Sequence, residues 1–238
     1  MKTKILFSLS GLLAASLLAA DSTPTDDLAN AAKKLAQDSY SWKASTEFGN
    51  FNSTTEGKLD KEGLTKLSMS FGDNTTDAFL KAGKGVVKSP DNDWQTLTEM
   101  AGNADQQGPG RFLVRRLQTF KAPAAEFTDL LAKTKELKKD GDVYSSDLTE
   151  AGAKELLAMG GRRGGNAPEP KNAKGSVKAW TKDGVLAKYE LKLSGSINFN
   201  GEDRDVDRTT TVEIKDVGTT KVEIPEAAKK KLTPATPS

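Results

Sequence analysis

The chain of 238 residues is 36% apolar, 29% charged and only 6% aromatic, a globular composition with enough apolar side chains for one sizeable core or two small ones. It has no cysteine and no histidine, which excludes thiolate and imidazole metal sites, Cys–His and Ser–His nucleophiles and haem axial histidines, and most enzyme mechanisms with them. The formal charge of +2 resides in Lys2 and Lys4, and beyond Ala20 the basic and acidic residues cancel, so no electrostatic attraction to nucleic acid is expected.

Lys2 and Lys4 precede an apolar run, Ile5 to Ala20, that is too short and too rich in small residues for a spanning helix. Residues 1–20 read as a cleaved secretory signal peptide, with a cut near Ala19, Ala20 or Ser22. Leu17-Leu18-Ala19-Ala20 has alanine where a lipoprotein signal needs cysteine, so no lipid can be attached there. The mature chain is expected to be periplasmic or secreted and, lacking disulfides, to be stabilised by burial and hydrogen bonding alone.

After a polar leader, Leu28 to Asp38 carries Leu28, Ala31, Ala32 and Leu35 at helical spacing, with Thr25 or Asp26 as cap. From Tyr40 the period changes to two: Trp42, Ala44, Thr46 and Phe48 alternate with Lys43, Ser45 and Glu47, which predicts a half-buried strand. Further strands are predicted at Ser53–Leu59, Leu64–Phe71 (Leu67, Met69 and Phe71 on one side), Thr76–Lys81, Gly85–Ser89 and Asp93–Thr98. Turn signals such as Gly49-Asn50, Gly72-Asp73-Asn74 and Pro90-Asp91-Asn92 separate them, giving an antiparallel meander.

The middle of the chain is helical. Arg111–Phe120 places Phe112, Leu113, Leu117 and Phe120 on one stripe, and Ala124–Lys133 carries Phe127, Leu130 and Leu131. Glu136–Lys139 and Asp142–Asp147 flank Asp140-Gly141 as a tight hairpin, and Thr149–Met159 predicts a third helix. Gly160 to Gly165, with Arg162 and Arg163, and the Pro-rich run to Pro170 form an exposed loop; its two arginines could meet phosphate headgroups, but a solvated loop is the simpler reading. Long strands return at Gly175–Lys182, Val185–Phe199 and Asp205–Lys215. The second places Tyr189, Leu191, Leu193 and Ile197 on one face, and the third alternates Thr210, Val212 and Ile214 with Thr211, Glu213 and Lys215. Val222–Ile224 reads as a last short strand, Pro225 opens a basic helix to Leu232, and residues 233–238 form a disordered tail. Asp203 to Asp207 is no calcium loop, since Arg208 stands in the glycine position and Ile214 in that of the closing glutamate.

Alternation through nearly ten strands implies a sheet with one wet and one apolar face, and only a few short helices are available to cover the latter. The expected fold class is therefore α+β: a curved antiparallel sheet forming an incomplete (half) β-barrel in residues 21–232, a single domain whose concave face is plugged or lidded by the helices.

The order helix, Tyr40-Ser41-Trp42 strand, meander, helical insertion and long hairpin, ending in Val217-Gly218-Thr219-Thr220-Lys221-Val222-Glu223-Ile224-Pro225, resembles the LolA-like superfamily, including its LppX/LprG-type lipid-binding lipoproteins. The resemblance implies a half-barrel with a helical lid and a cavity that carries an acyl chain. On that reading the ligand-binding residues are Trp42, Phe48, Leu67, Met69, Phe71, Phe112, Leu113, Leu117, Phe120, Leu191, Leu193, Val212 and Ile214, with glycines at 102, 108 and 110 as lid hinges. The plain reading of the same residues is core. The expectation is a non-catalytic carrier of a hydrophobic small molecule or lipid, without catalytic residues, metal or cofactor, with an envelope protein partner and transient contact with a membrane surface. The alternative is an envelope structural or protein-interaction module with a filled core and no ligand. A carboxylate-based hydrolase is compatible with the lack of histidine, but no motif supports it.

Overall fold

The computed structural model describes residues 22–88, 93–103, 109–158, 169–199 and 202–232. The predicted signal peptide, Gly108, the Arg162/Arg163 loop and the 233–238 tail lie outside the described residues.

The first helix, α1 (Pro24–Ala36), starts four residues earlier than the apolar spacing predicts, because its start is set by a cap rather than by Leu28. The Thr23 hydroxyl accepts from the Asp26 main-chain N–H, the Asp26 carboxylate accepts from the Thr23 N–H, and Pro24 occupies the first turn. Six strands follow, β1 (Tyr40–Phe48), β2 (Phe51–Leu59), β3 (Thr65–Phe71), β4 (Asn74–Lys81), β5 (Lys84–Lys88) and β6 (Trp94–Thr96). The strand expected over Asp93–Thr98 stops at Thr96. There Thr96 and Glu99 form a capping box, the Thr96 N–H donating to Glu99 Oε2 at 2.7 Å and the Glu99 N–H to Thr96 Oγ1 at 3.1 Å, and α2 (Leu97–Asn103) begins.

Helices α3 (Pro109–Gln118) and α4 (Pro123–Leu131) occupy the predicted middle region. The hairpin β7 (Lys138–Asp140) and β8 (Val143–Asp147) turns one residue later than predicted, at Gly141-Asp142, because Asp140 pairs with Val143; of the two loop residues Gly141, with a φ of 58°, takes the left-handed backbone that favours glycine. Then come α5 (Glu150–Ala158), β9 (Lys171–Lys182), β10 (Val185–Phe199), β11 (Glu202–Lys215) and α6 (Glu226–Leu232). Val222 to Ile224 is not a strand; Val222 and Ile224 pack, half-buried, beside α6.

All eleven strands form one antiparallel sheet in the order β6-β5-β4-β3-β2-β1-β11-β10-β9-β8-β7, open at both ends. Two meanders, β1–β6 and β7–β11, are thus joined at a single seam where β1 pairs with β11, Trp42 opposite Ile214 and Phe48 opposite Arg208. The α+β class and the wide antiparallel sheet match the expectation; the sheet does not close on itself.

The main core lies on the face carrying Trp42, Leu67, Met69, Ala78, Val87, Tyr189, Leu193 and Val212. It is sealed by Leu28, Ala31, Ala32 and Leu35 of α1, Leu117 of α3, and Phe127 and Leu130 of α4. The opposite face is not wet throughout. At the β3–β6 end Leu64, Phe79 and Val86 meet Ala228 and Leu232 of α6 in a second cluster, so β4 and β5 are covered on both sides. Adjacent residues Ala78 and Phe79, and Val86 and Val87, are buried in opposite directions, a pattern that alternation alone does not predict.

Candidate functional site

The predicted ligand-binding residues divide into three environments. Trp42, Leu67, Met69, Leu117, Leu191, Leu193 and Val212 are buried side chains of the main core. Leu113, Phe120 and Ile214 are half-buried and packed against that core, with the Phe120 ring stacked on Trp42 at 6.1 Å between centroids. Phe48, Phe71 and Phe112 are 39%, 44% and 53% exposed, and Phe51, which the alternation did not single out, is 77% exposed.

The exposed phenylalanines come together by register. Phe48 pairs with Phe51 across the β1–β2 turn, and Phe71 closes β3 opposite Asn74 at the adjoining β3–β4 turn. The guanidinium of Arg116, on α3, lies 5.5 Å from the centroid of the Phe71 ring, which brings the helix carrying Phe112 to the same end of the sheet. The result is an aromatic rim at the hairpin end of the helix-covered face. Gly102 and Gly110, expected as hinges, lie in α2 and α3.

Within the covered face is a polar cluster that periodicity did not reveal. The Tyr189 hydroxyl donates to Glu126 Oε2 at 3.0 Å, and its ring packs on Phe127 at 5.0 Å. Tyr40 accepts from the Ala124 main-chain N–H at 3.4 Å, and burial pushes its hydroxyl up to about 12. Burial also raises the Glu126 carboxyl above the ordinary carboxylate range, opposed by the Tyr189 hydrogen bond and by the charges of Arg116 and Arg208.

Arg208 occupies the inward register of β11 between Val206 and Thr210, opposite Phe48 on one side and Leu193 on the other. Its Nη2 donates to the Leu156 carbonyl near the end of α5 at 3.3 Å, while its buried Nε has no acceptor among the described residues. Among the described residues no carboxylate forms an ion pair within 4.0 Å of Arg116 or Arg208. One signal in the sequence could have located this cluster: an arginine at an inward position of an otherwise alternating strand.

Two grooves lie elsewhere. One of about 530 Å³ is lined by Asp27, Lys34, Lys139, Asp142 and Tyr144 among others, and one of about 740 Å³ by Lys135, Asp147, Lys154 and Glu169 among others. The first is mostly polar, the second is lined about equally by polar and apolar groups, Leu148, Pro170 and Ala173 among the latter, and neither contains a predicted ligand-binding residue. Asp203, in the segment rejected as a calcium loop, accepts from Lys171 at 2.7 Å and from Asn198 at 2.9 Å. No described helix is long and apolar enough to cross a membrane.

No protein-family model matches the chain, and no curated protein matches it. Among solved structures, the Pseudomonas aeruginosa MucA/MucB complex aligns over 80% of this chain and 93% of the matched one, at 12% identity and a TM-score of 0.29. A superposition at that score does not establish a shared fold.

Proposed function

We propose that the chain is an exported, non-catalytic interaction module with a filled core, and that its working surface is the aromatic rim formed by Phe48, Phe51, Phe71 and Phe112. The observation that carries this reading is the division of one sheet face: Leu67, Met69 and Leu193 are 1% exposed, whereas the phenylalanines at the hairpin end keep between 39% and 77% of their surface exposed. Exposed aromatic rings beside an arginine are the composition of a protein contact, in which rigid rings supply area at low conformational cost and guanidinium supplies directed hydrogen bonds. The occupant of the rim is a protein of the envelope, consistent with a chain made with a signal peptide and bearing no net charge after it.

The rival is the carrier implied by the LolA-like resemblance, in which the same face takes up an acyl chain at about 0.8 kcal/mol per buried methylene. Cavity-forming variants tell the two apart. In a filled core Leu67→Ala, Met69→Ala and Leu193→Ala each cost about 2–5 kcal/mol in chemical denaturation. The mature protein purified from a periplasm then runs at its bare mass in native mass spectrometry and takes up no fluorescent fatty-acid probe. A stoichiometric lipid adduct, with the three variants costing little in stability and losing that adduct, would establish the carrier instead.

A further inference from the structure

We propose that the exposed face of α3 selects the partner of the rim, and that the segment it takes is acidic: a stretch of an envelope protein that sets carboxylates on Arg111, Arg115 and Arg116 and an apolar side chain against Phe112. This deepens the reading of the rim as a protein contact and rests on it. The sequence already sets the helix apart. Of the 35 basic residues only seven are arginine, the first of them is Arg111, and three of the seven lie on α3. Between Asp105 and Glu126 there are four basic residues and no acidic one, in a chain whose charges cancel beyond Ala20. Lysine and arginine suit a helix surface equally well. The use of arginine therefore points to its planar fork, which meets a carboxylate with two parallel hydrogen bonds.

Packing leaves these groups outside. Val114 and Leu117 are buried against the core, which turns Arg111, Phe112, Arg115 and Arg116 to solvent. Arg111 and Arg115 stand one turn apart, as do Phe112 and Arg116, so the four share one helix face, and the Arg116 guanidinium, 5.5 Å from the Phe71 centroid, carries that face onto the sheet. Among the described residues no carboxylate forms an ion pair within 4.0 Å of any of the three arginines. Helix stability does not account for the arrangement. Arg115 and Arg116, in the last turn, suit the helix dipole, but Arg111 is in the first turn, where the dipole favours an acid and α3 has none. Arg111 and Arg115 also repel each other across one turn. An acidic segment relieves both, and a surface that breaks a local rule without compensation inside the fold is where a working contact is expected.

The distribution of charge favours a protein segment over an anionic bilayer. The arginines are confined to α3, while exposed Glu47 precedes Phe48 and exposed Asp73 lies in the β3–β4 turn beside Phe71. A bilayer meeting the rim broadly would bring those carboxylates to its own charge. A segment lying along α3 would not.

The test is an array of short random peptides probed with the full mature chain, followed by fluorescence anisotropy of the strongest binders on the parent and its variants. Binders rich in aspartate and glutamate are expected, with affinity that falls as salt is added. Phe112→Ser and the double variant Arg111→Gln/Arg115→Gln are each expected to weaken them about tenfold, while the double variant keeps or exceeds the parent's denaturation midpoint. Binders that Phe112→Ser releases but that show no acidic bias, or that the arginine double variant leaves unchanged, would overturn the acidic partner and leave the rim a protein contact. Binders indifferent to both Phe51→Ser and Phe112→Ser, or an array without binders, would remove the rim reading itself. A midpoint that falls with the arginines would show that they serve the fold. Arginine-dependent sedimentation with phosphatidylglycerol vesicles, in place of peptide binding, would make the face a membrane contact and overturn the proposal.

Discussion

The two ends of the helix-covered sheet face are built from the same alternation and have opposite fates. On β1, Trp42 is 4% exposed and Phe48, six residues along the same side of the strand, is 39% exposed; on β3, Leu67 is 1% exposed and Phe71 is 44% exposed. At about 3.3 Å per residue the distance from core to rim is only one to two nanometres. What changes over that distance is the cover. The stacked Phe120 and the apolar stripes of α1 and α4 are packed into the core at the first end, whereas at the other Phe71 has the Arg116 guanidinium of α3 over its ring. An apolar side chain on a sheet becomes core only where another element lies on it, so strand period fixes the side and helix placement fixes the burial.

The largest expected effects are at the covered end. Leu193→Ala and Leu67→Ala remove side chains that are 1% exposed, and each is expected to lower stability by about 2–5 kcal/mol in urea or guanidinium titration. Phe71→Ala, on the same face at the other end, is expected to cost far less. Equal losses at the two ends would erase the contrast and place the rim inside the cooperative core.

A smaller effect is expected where the covered end is tightest. Gly57 faces Trp42 across the β1–β2 pair, and a Cβ added there would stand 2.0 Å from the indole Cζ2. The ring cannot withdraw freely, because it stacks on Phe120 and lies against Tyr40 at 5.7 Å. Gly57→Ala is expected to cost about 1–3 kcal/mol by overpacking and to shift indole fluorescence. A smaller side chain at position 42 combined with Gly57→Ala should cost less than the two single changes added together, and strict additivity would show that the glycine serves the backbone rather than the ring.

Next comes the cap of α2. Thr96→Ala removes the acceptor for the Glu99 N–H and is expected to cost about 1 kcal/mol. Glu99 also accepts from Lys231 of α6 at 2.6 Å, and the Lys231 hydrogen bond, with that of the Thr96 N–H, holds its carboxyl down to about 2. A carboxyl depressed by folding adds stability above its ordinary pKa of 4.5, and that contribution is lost as pH falls toward 2. Wild-type and Glu99→Gln denaturation midpoints are therefore expected to differ at pH 6 and to converge toward pH 2. A constant difference across that range would mean that the ion pair contributes nothing.

How much of this was legible follows from which forces are local. The paired turns and strand period placed most strands of the two meanders, and the extent of β10 agrees with Val185–Phe199. Asp140-Gly141 signalled the β7–β8 hairpin for the same local reason, one residue ahead of the Gly141-Asp142 loop that closes it. The Thr96-x-x-Glu99 box was equally local but was absorbed into a strand. What could not be read was whatever depends on distant chain: α6 closing a second core on β4 and β5, and the meeting of Glu126 and Tyr189, brought together from α4 and β10. Arg208 did carry a signal, an inward charge on an alternating strand, and it was spent on rejecting a calcium loop.

The smallest stability effect is the one that separates the two ends most sharply. Phe51 is 77% exposed and Phe112 is 53% exposed, and changes at exposed sites away from caps and turns fall within about 0.5 kcal/mol. Phe51→Ser and Phe112→Ser are thus expected to leave the denaturation midpoint nearly unchanged. If the rim is a working surface, those substitutions should still reduce concentration-dependent self-association or partner binding measured by sedimentation, because large aromatic rings facing water are sticky as well as idle in the fold. A double variant that is as stable as the parent and sediments identically with and without its partner would leave the phenylalanines as ordinary surface. A midpoint that falls by several kcal/mol would show instead that they pack in solution, and that the rim is an extension of the core.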